Sequence, residues 1–408
     1  MKQAIFFSIS LALCIACSSK SDRSREKSNA SAAPLIPVNA IPAIYYDYLH
    51  LKLKVDSAEG SFLFDTGFNN LCLDSIFYYS SKLEYLSSSG GKIYGIGNAY
   101  QRLNLIDDTI DFSMGGRDYR TSFIPVLDLK PIGGDYVDGL LGTKHFSNNV
   151  VEVNYTEGYI RILESIDSVD VSDYSKVALE KSGFHYFIPV TLKINDSIII
   201  TGNFLVDTAT PGSTLTSYTA FKLDLTSQVT RKILYYTMYG GIGGESSGYD
   251  FSADSVNVAD YSLLNVILSY SLDTAGSLAA EEYIGILGNN ILDRFDLLFD
   301  FRSDYLYLKP NENFRKPYEF DRMGFVFVDR CKTMGGWIVS GMYQDSPAEK
   351  EGLRIDDKIV SVNETPVEEI PFEKQEEYFD NLKEVKLVVS RAGTLHTFEF
   401  ALDPLCEI

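Results

Sequence analysis

The sequence is poor in basic charge, histidine and cysteine, and each shortage closes off a class of chemistry. Only 36 Lys and Arg stand against 56 Asp and Glu, a formal net charge of −20. Such a chain repels phosphate backbones, so no nucleic-acid partner is expected. Four His in 408 residues leave a Ser–His or Cys–His mechanism few options. No His-Glu-x-x-His pair and no Gly-x-x-x-x-Gly-Lys-Ser/Thr phosphate loop occurs. Of five Cys, Cys14 and Cys17 lie near the start; Cys72, Cys331 and Cys406 have no metal-site spacing. Neither a metal nor a cofactor is expected. Long apolar runs are scarce too: the stretch at residues 4–16 is too short to span a bilayer as a stable helix.

What is present is ordinary for globular protein, with 45% hydrophobic and 23% charged residues. The length suits two or three domains. Tyr (27) and Phe (25) are plentiful and the turns are rich in Gly and Asp, which favours β structure. Residues 4–16 end at Cys14-Ile15-Ala16-Cys17-Ser18-Ser19. This resembles a bacterial lipoprotein signal, residues 1–17, with Cys17 acylated and the protein exported and lipid-anchored at the cell envelope, periplasm or outer membrane. An ordinary secretory signal is the alternative. Residues 18–39 read as a disordered tether. An oxidising envelope permits a Cys331–Cys406 bridge. Cys72, between two Leu, reads as a buried apolar residue.

The informative stretch is Phe62-Leu63-Phe64-Asp65-Thr66-Gly67. A buried strand should not end in a carboxylate unless something shares or pairs its charge. A second copy, Phe204-Leu205-Val206-Asp207-Thr208-Ala209, follows 142 residues later. Three more landmarks recur in order, each 146 residues apart. They are Gly95-Ile96-Gly97 with Gly241-Ile242-Gly243, then Gly139-Leu140-Leu141-Gly142 with Gly285-Ile286-Leu287-Gly288, then Asn154-Tyr155 with Asp300-Phe301. One unit is written twice.

Each copy opens with a hairpin that delivers its Asp, at residues 48–64 and 186–206, fixing the carboxylate on a sheet. His50 and His185 sit at matching places near the first strand of each hairpin and read as surface or rim residues. The glycine-rich stretches at 95–97 and 241–243 read as hairpin tips that close over a ligand and exclude water. The apolar-Gly motifs support the Asp turns from below.

Together, the repeated Asp-Thr-Gly/Ala, the Gly-Ile-Gly tips and the apolar-Gly motifs resemble the retropepsin-like aspartic peptidases over residues 40–310. The resemblance implies two β-barrel lobes, 40–170 and 171–315, about a pseudo-twofold axis. Asp65 and Asp207 would be the catalytic pair. Thr66, Gly67, Thr208 and Ala209 would support it, and Gly95, Ile96, Gly97, Gly241, Ile242 and Gly243 would form flaps over a peptide or protein substrate. One chain carries both halves, so a monomer is expected. Two carboxylates within about 3 Å share one proton; the ionised one activates a water and the other protonates the scissile carbonyl. Ala209 replaces the usual Gly, and Asn154 stands where the second copy has Asp300. Those departures motivate the alternative, an inactive pseudo-peptidase that binds peptides.

In the C-terminal region, 318–406, Ser346-Pro347-Ala348-Glu349 is a capping box with Pro at the first helical position. The run through Gly352-Leu353 to Asp357-Lys358-Ile359 resembles a bacterial PDZ domain, a β-sandwich with two helices. That resemblance implies a groove for a C-terminal peptide, added as a strand and held at its carboxylate by a Gly-containing loop. Met334, Gly335, Gly336 and Trp337 are the loop candidates.

Overall fold

The alternation Tyr48-Leu49-His50-Leu51-Lys52-Leu53-Lys54-Val55 is that of a strand with one face in a core, and a strand forms there. It belongs to a computed structural model that describes residues 36–83 and 87–407. Cys17 and most of the predicted tether lie outside them. The chain is mainly β.

Among the described residues the first copy has twelve strands: β1 (Ile41–Tyr46), β2 (Tyr48–Val55), β3 (Ala58–Asp65), β4 (Leu71–Asp74), β5 (Ser87–Ile93), β6 (Gln101–Ile106), β7 (Ile110–Met114), β8 (Arg117–Thr121), β9 (Ile124–Leu127), β10 (Gly139–Gly142), β11 (Val150–Asn154) and β12 (Tyr159–Leu163). β10 runs parallel to β3, setting Gly142 beside Asp65. β4 runs parallel to β9.

The second copy repeats the plan with fewer, longer strands: β13 (Ser175–Ala178), β14 (Glu180–Ser182), β15 (His185–Asn195), β16 (Ile198–Val206), β17 (Thr214–Leu215), β18 (Lys232–Thr237), β19 (Ser246–Val258), β20 (Tyr261–Ser271), β21 (Gly285–Leu287), β22 (Phe295–Asp300) and β23 (Tyr305–Pro310). β21 runs parallel to β16, and β17 to β20. Here β19 and β20 cover the ground of β6 to β9.

The copies do not keep separate sheets. β13, β23, β22, β11, β12 and β1 follow one another in a single ladder. Its central pair is β11 and β22, with Val150 opposite Asp300 and Val153 opposite Leu297. Exchanging the copies maps that register onto itself, as a twofold axis between them requires. Phe64 and Phe299 meet edge to face across the junction, both fully buried.

Beyond Pro310 the chain builds β24 (Phe325–Asp329), β25 (Trp337–Tyr343), β26 (Lys358–Val362), β27 (Thr365–Pro366), β28 (Glu384–Arg391) and β29 (Thr394–Ala401), with helices Pro347–Lys350 and Gln375–Asp380. They enclose their own core of Phe325, Trp337, Val339, Ile359 and Leu387. Ser346 caps its helix by accepting from the Glu349 N–H, but Glu349 reaches back to the Asp345 N–H rather than to that of Ser346. This region continues the second copy's sheet, because β18 pairs with β25, Tyr236 opposite Met342.

Candidate active site

The two Asp-Thr turns lock onto each other. Thr66 and Thr208 are completely buried. Each backbone N–H donates to the other's hydroxyl at 3.1 Å. The Thr66 hydroxyl donates to the Val206 carbonyl at 2.8 Å, and the Thr208 hydroxyl to the Phe64 carbonyl at 2.6 Å. Four reciprocal bonds in a dry interface give the turns little freedom to drift.

This lock brings Asp65 and Asp207 together. Both line one cavity of about 280 Å³. A Cβ placed on Gly67 would lie 2.6 Å from Asp207 Oδ2, so Asp207 sits directly over the first turn and only glycine fits there. Asp65 is 7% exposed, and its Oδ1 is buried without a protein partner. Burial first, and the Asp207 charge second, push the Asp65 carboxyl well above the usual range. Burial raises Asp207 too, offset by the Ala209 N–H, which donates to its Oδ1 at 2.8 Å. Ala209 has no positive φ, so its methyl brings no backbone strain.

The glycine-rich tips meet above this cavity. Gly243 N–H donates to the Ile96 carbonyl at 2.7 Å, and Ala99 N–H to the Gly243 carbonyl at 2.8 Å. Gly97, at φ +108, lies so near Gly243 that a Cβ would fall 2.5 Å from backbone carbon. Gly95 and Gly241 face Ile242 and Ile96 in the same way. The tips cross. Ile242 of the second copy packs on the first copy's Leu63, Leu129, Val137 and Leu140 cluster. Ile96 of the first packs on the second's Phe187, Leu205, Leu278 and Ile286. The cavity therefore has one apolar wall on each side of the carboxylates.

The histidines divide. His185 lines the cavity, and burial lowers its pKa while the Gly67 backbone opposes this. His50, expected at the surface or rim, is instead buried, with burial lowering its pKa to about 4. It lies against Phe372. The hairpin registers explain the difference: Leu63 faces His50 but Leu205 faces Phe187. Tyr48, two residues before His50, is therefore the counterpart of His185, and it too lines the cavity. The two histidines are therefore not equivalent: the 142-residue offset of the Asp pair equates Leu63 with Leu205, and the strand registers then set Tyr48, not His50, against His185.

Asn154 and Asp300 turn out to do one job. Asn154 Oδ1 accepts from the Thr156 hydroxyl and Glu157 N–H, and Asp300 Oδ1 from the N–H groups of Arg302 and Ser303. Each closes a turn, for which either side chain serves. Gly244-Glu245-Ser246-Ser247-Gly248 matches the nucleophile-elbow pattern, but Ser246 is on β19 and donates to Asp273 at 2.9 Å. There is no strand-to-helix turn to present it.

Cys331 and Cys406 are free thiols, contrary to the expected bridge, and Cys72 is buried. Burial and a bond to Asp329 raise the Cys331 thiol pKa. Among the described residues no cluster of His, Cys, Asp or Glu could hold a metal.

The four expected loop residues follow β24. Met334 closes the short helix Cys331–Met334 and Gly335 caps it at φ +70. Gly336 packs against the Ile359 carbonyl, where a Cβ would fall 2.5 Å from the oxygen, so it has no room for a side chain. Trp337 is wholly buried, stacked on Phe327 at 4.3 Å, and is core rather than groove.

No curated protein matches the chain. Comparison with protein-family models matches residues 315–390, a minority of the length, to the PDZ domain. The separate core, the capped helix after Ser346 and the strand–helix pair β24 and Gln375–Asp380 agree with that match. Residues 315–390 are a PDZ domain, the part of this chain whose family is established.

Proposed function

We propose that residues 40–310 are a retropepsin-like aspartic peptidase of two fused lobes and that the chain is an endopeptidase. The observation that carries this reading is the carboxylate pair. Asp65 and Asp207 lie on facing, mutually locked turns, at the floor of one cleft, with Asp65 Oδ1 buried and unpartnered. A buried acceptor in that position invites a water shared with Asp207. With one proton on the pair, the ionised carboxylate takes a proton from the water as its oxygen attacks the scissile carbonyl. The protonated carboxylate gives its proton to the developing oxyanion; on collapse, the carboxyl that took the water proton passes it to the leaving nitrogen while the other takes a hydroxyl proton back, so the C–N bond breaks, amine and acid form and the pair again holds one proton. Burial raises both groups and the Asp207 charge raises Asp65 further, so the singly protonated pair persists above the usual carboxylate range.

The apolar walls under Ile242 and Ile96 suit hydrophobic side chains on both sides of the cleaved bond. The tips are joined, so a substrate must part them. The PDZ domain supplies peptide binding. Export and anchoring through Cys17 complete the proposal and rest on the sequence alone.

The test is cleavage of an apolar peptide library by purified protein, with Asp65→Asn and Asp207→Asn alongside. Each substitution should lower kcat/KM by about a thousandfold or more while the fold persists. Cleavage retained by either variant would remove that residue from the mechanism. A transition-state mimic of the statine type should bind the wild type and protect it against heating.

A further inference from the structure

The glycine-rich tip of the first copy is tied to the second copy by the side chain of Asn98. Its Nδ2 donates to the Asp273 carboxylate at 3.0 Å and to the Glu245 carbonyl at 3.2 Å. Its Oδ1 accepts the Thr274 N–H at 2.6 Å, and its backbone N–H donates to the Glu245 carbonyl at 3.0 Å. Close by, the Ser277 N–H donates to the Gly95 carbonyl at 2.9 Å. Asp273 is 1% exposed, and its other side-chain bonds come from the Ser246 hydroxyl and the Ser247 N–H. A buried carboxylate needs such donors, so Asn98 has a fixed place to dock. The tie is one-sided. Gly244 stands 146 residues after Asn98 and has no side chain; Leu127 stands 146 residues before Asp273 and has no acceptor.

We propose that the first tip is the moving gate of the cleft and that Asn98 is its latch, released from Asp273 when a polypeptide enters. The arm that carries this tip is the β5–β6 hairpin. Among the described residues no strand lies beyond β5, and β6 pairs with β9 only over Asn104, Leu105 and Ile106. Past that ladder the arm is joined to its own copy by Gln101, through two bonds to the Asp128 backbone, and by the packing of Ile93 and Leu103. The second tip is braced from outside, where β18 pairs with PDZ strand β25. Asn98 is exposed, so water takes its place on Asp273 when the tip lifts, and the bond is exchanged rather than lost. Such a tie is weak enough to open and directional enough to return the tip to one position. Latched, the tip holds Ile96 on the second copy's apolar wall. Released, it carries Ile96 and Gly97 away and opens the roof over the carboxylates.

That the gate admits a substrate rests on the peptidase reading, but the latch itself does not. The test compares full-length wild type, Asn98→Ala and Asn98→Asp by amide hydrogen exchange and mass spectrometry. Asn98→Ala should speed exchange over residues 90–106 by about tenfold, because bonds to a carboxylate and to two backbone groups are lost. Asn98→Asp should speed it further, since two carboxylates then face each other. Exchange in the β19–β20 ladder should stay within about twofold of wild type in Asn98→Ala. A statine-type mimic should dissociate from Asn98→Ala about fivefold faster or more, because the closed state over it is less favoured. Unchanged exchange over residues 90–106 in both variants overturns the latch. So does equal speeding of the β19–β20 ladder, which would be a general loosening. Faster exchange with an unchanged dissociation rate overturns the gate, since the mimic then leaves by another route. Faster exchange in a protein that neither cleaves peptides nor binds the mimic counts against the peptidase and leaves the latch standing.

Discussion

Asp138 in the first copy and Ile284 in the second hold the same place, and their chemistries are opposite. Each lies 146 residues from its counterpart and packs beside a glycine of the preceding hairpin, Gly60 or Gly202. Ile284 simply fills its space. Asp138 accepts the Ser61 N–H and the Lys130 ammonium, both within 2.9 Å, and Lys130 also bonds the Val137 carbonyl. The same backbone thus tolerates a part-buried ion pair or a plain hydrocarbon behind the Asp-Thr turn. The ion pair is not needed for the fold as such; it is needed once one of its members is present. A buried charge is expensive without its partner, while an apolar replacement of the whole pair is often harmless. Lys130→Met should therefore cost about 3–5 kcal/mol in chemical denaturation, and Lys130→Met with Asp138→Ile should recover part of it, the remainder being due to buried Asp74, which also loses the ammonium 3.9 Å away. If the double variant is as unstable as the single one, the two copies are not interchangeable at this place.

The turns themselves differ by one methyl. Gly67 lies under the Asp207 carboxylate, whereas Ala209 already carries a side chain in the equivalent turn. Gly67→Ala should displace Asp207 and lower kcat/KM by about a hundredfold. Ala209→Gly should change it by less than about threefold, because the bond this turn makes to Asp207 comes from the backbone N–H of residue 209, which glycine keeps. Steady-state kinetics on both variants decides whether the asymmetry of the turns is functional. Equal losses would mean that the close approach at Gly67 does not set the geometry of the pair.

The sequence displayed the repeat because the residues that make it cannot be replaced cheaply. Asp65 and Asp207, the two Thr, and Gly97 against Gly243 are each fixed by a contact to their counterpart, so the pattern survives in both copies. The PDZ was legible through Ser346 and Gly352, which mark the ends of a short capped helix. What stayed hidden were contacts between elements far apart in the chain. Thr333 and Arg330 bind Asp135, and Phe372 stacks on Tyr136 at 4.2 Å. These use common side chains with no local pattern, so nothing at either end announces the other. Trp337 misled for a related reason. A lone Trp beside two glycines reads as a ligand contact, but its ring is what the PDZ core is packed around.

The two glycine-rich tips differ in what lies outside them. β5 ends its sheet, with no strand beyond it among the described residues, whereas β18 is paired along Tyr235, Tyr236 and Thr237 to PDZ strand β25. The Tyr236 hydroxyl adds a bond to Glu349 and the Thr237 hydroxyl one to the Ser340 carbonyl. Opening at the second tip must work against the PDZ; opening at the first need not. Amide hydrogen exchange should find β18 protected by about tenfold or more over β5. The reverse order would show that the PDZ contact does not hold the second tip.

Carboxyls raised by burial occur in both copies but are more numerous in the second. Asp207, Asp250 and Asp293, all in the second copy, have carboxyls that burial raises to about 6. A carboxyl raised in the fold favours its protonated form there. Its contribution to stability is present below the ordinary Asp range and is lost as pH rises through about 6. Each group should cost on the order of 1 kcal/mol between about pH 5 and about pH 7.5, after allowance for partial solvent access. Thermal melting should therefore show a protein more stable at the acid end of that window, opposite to the trend of salt-bridged carboxylates. Asp250, which accepts bonds from Ser269 and from Tyr343 of the PDZ, is the best probe. Asp250→Asn will lose stability at every pH because an amide offers one acceptor oxygen, not two, but its melting temperature should depend less on pH. An unchanged slope would place the acid stabilisation elsewhere, with Asp65 in the first copy the next group to substitute.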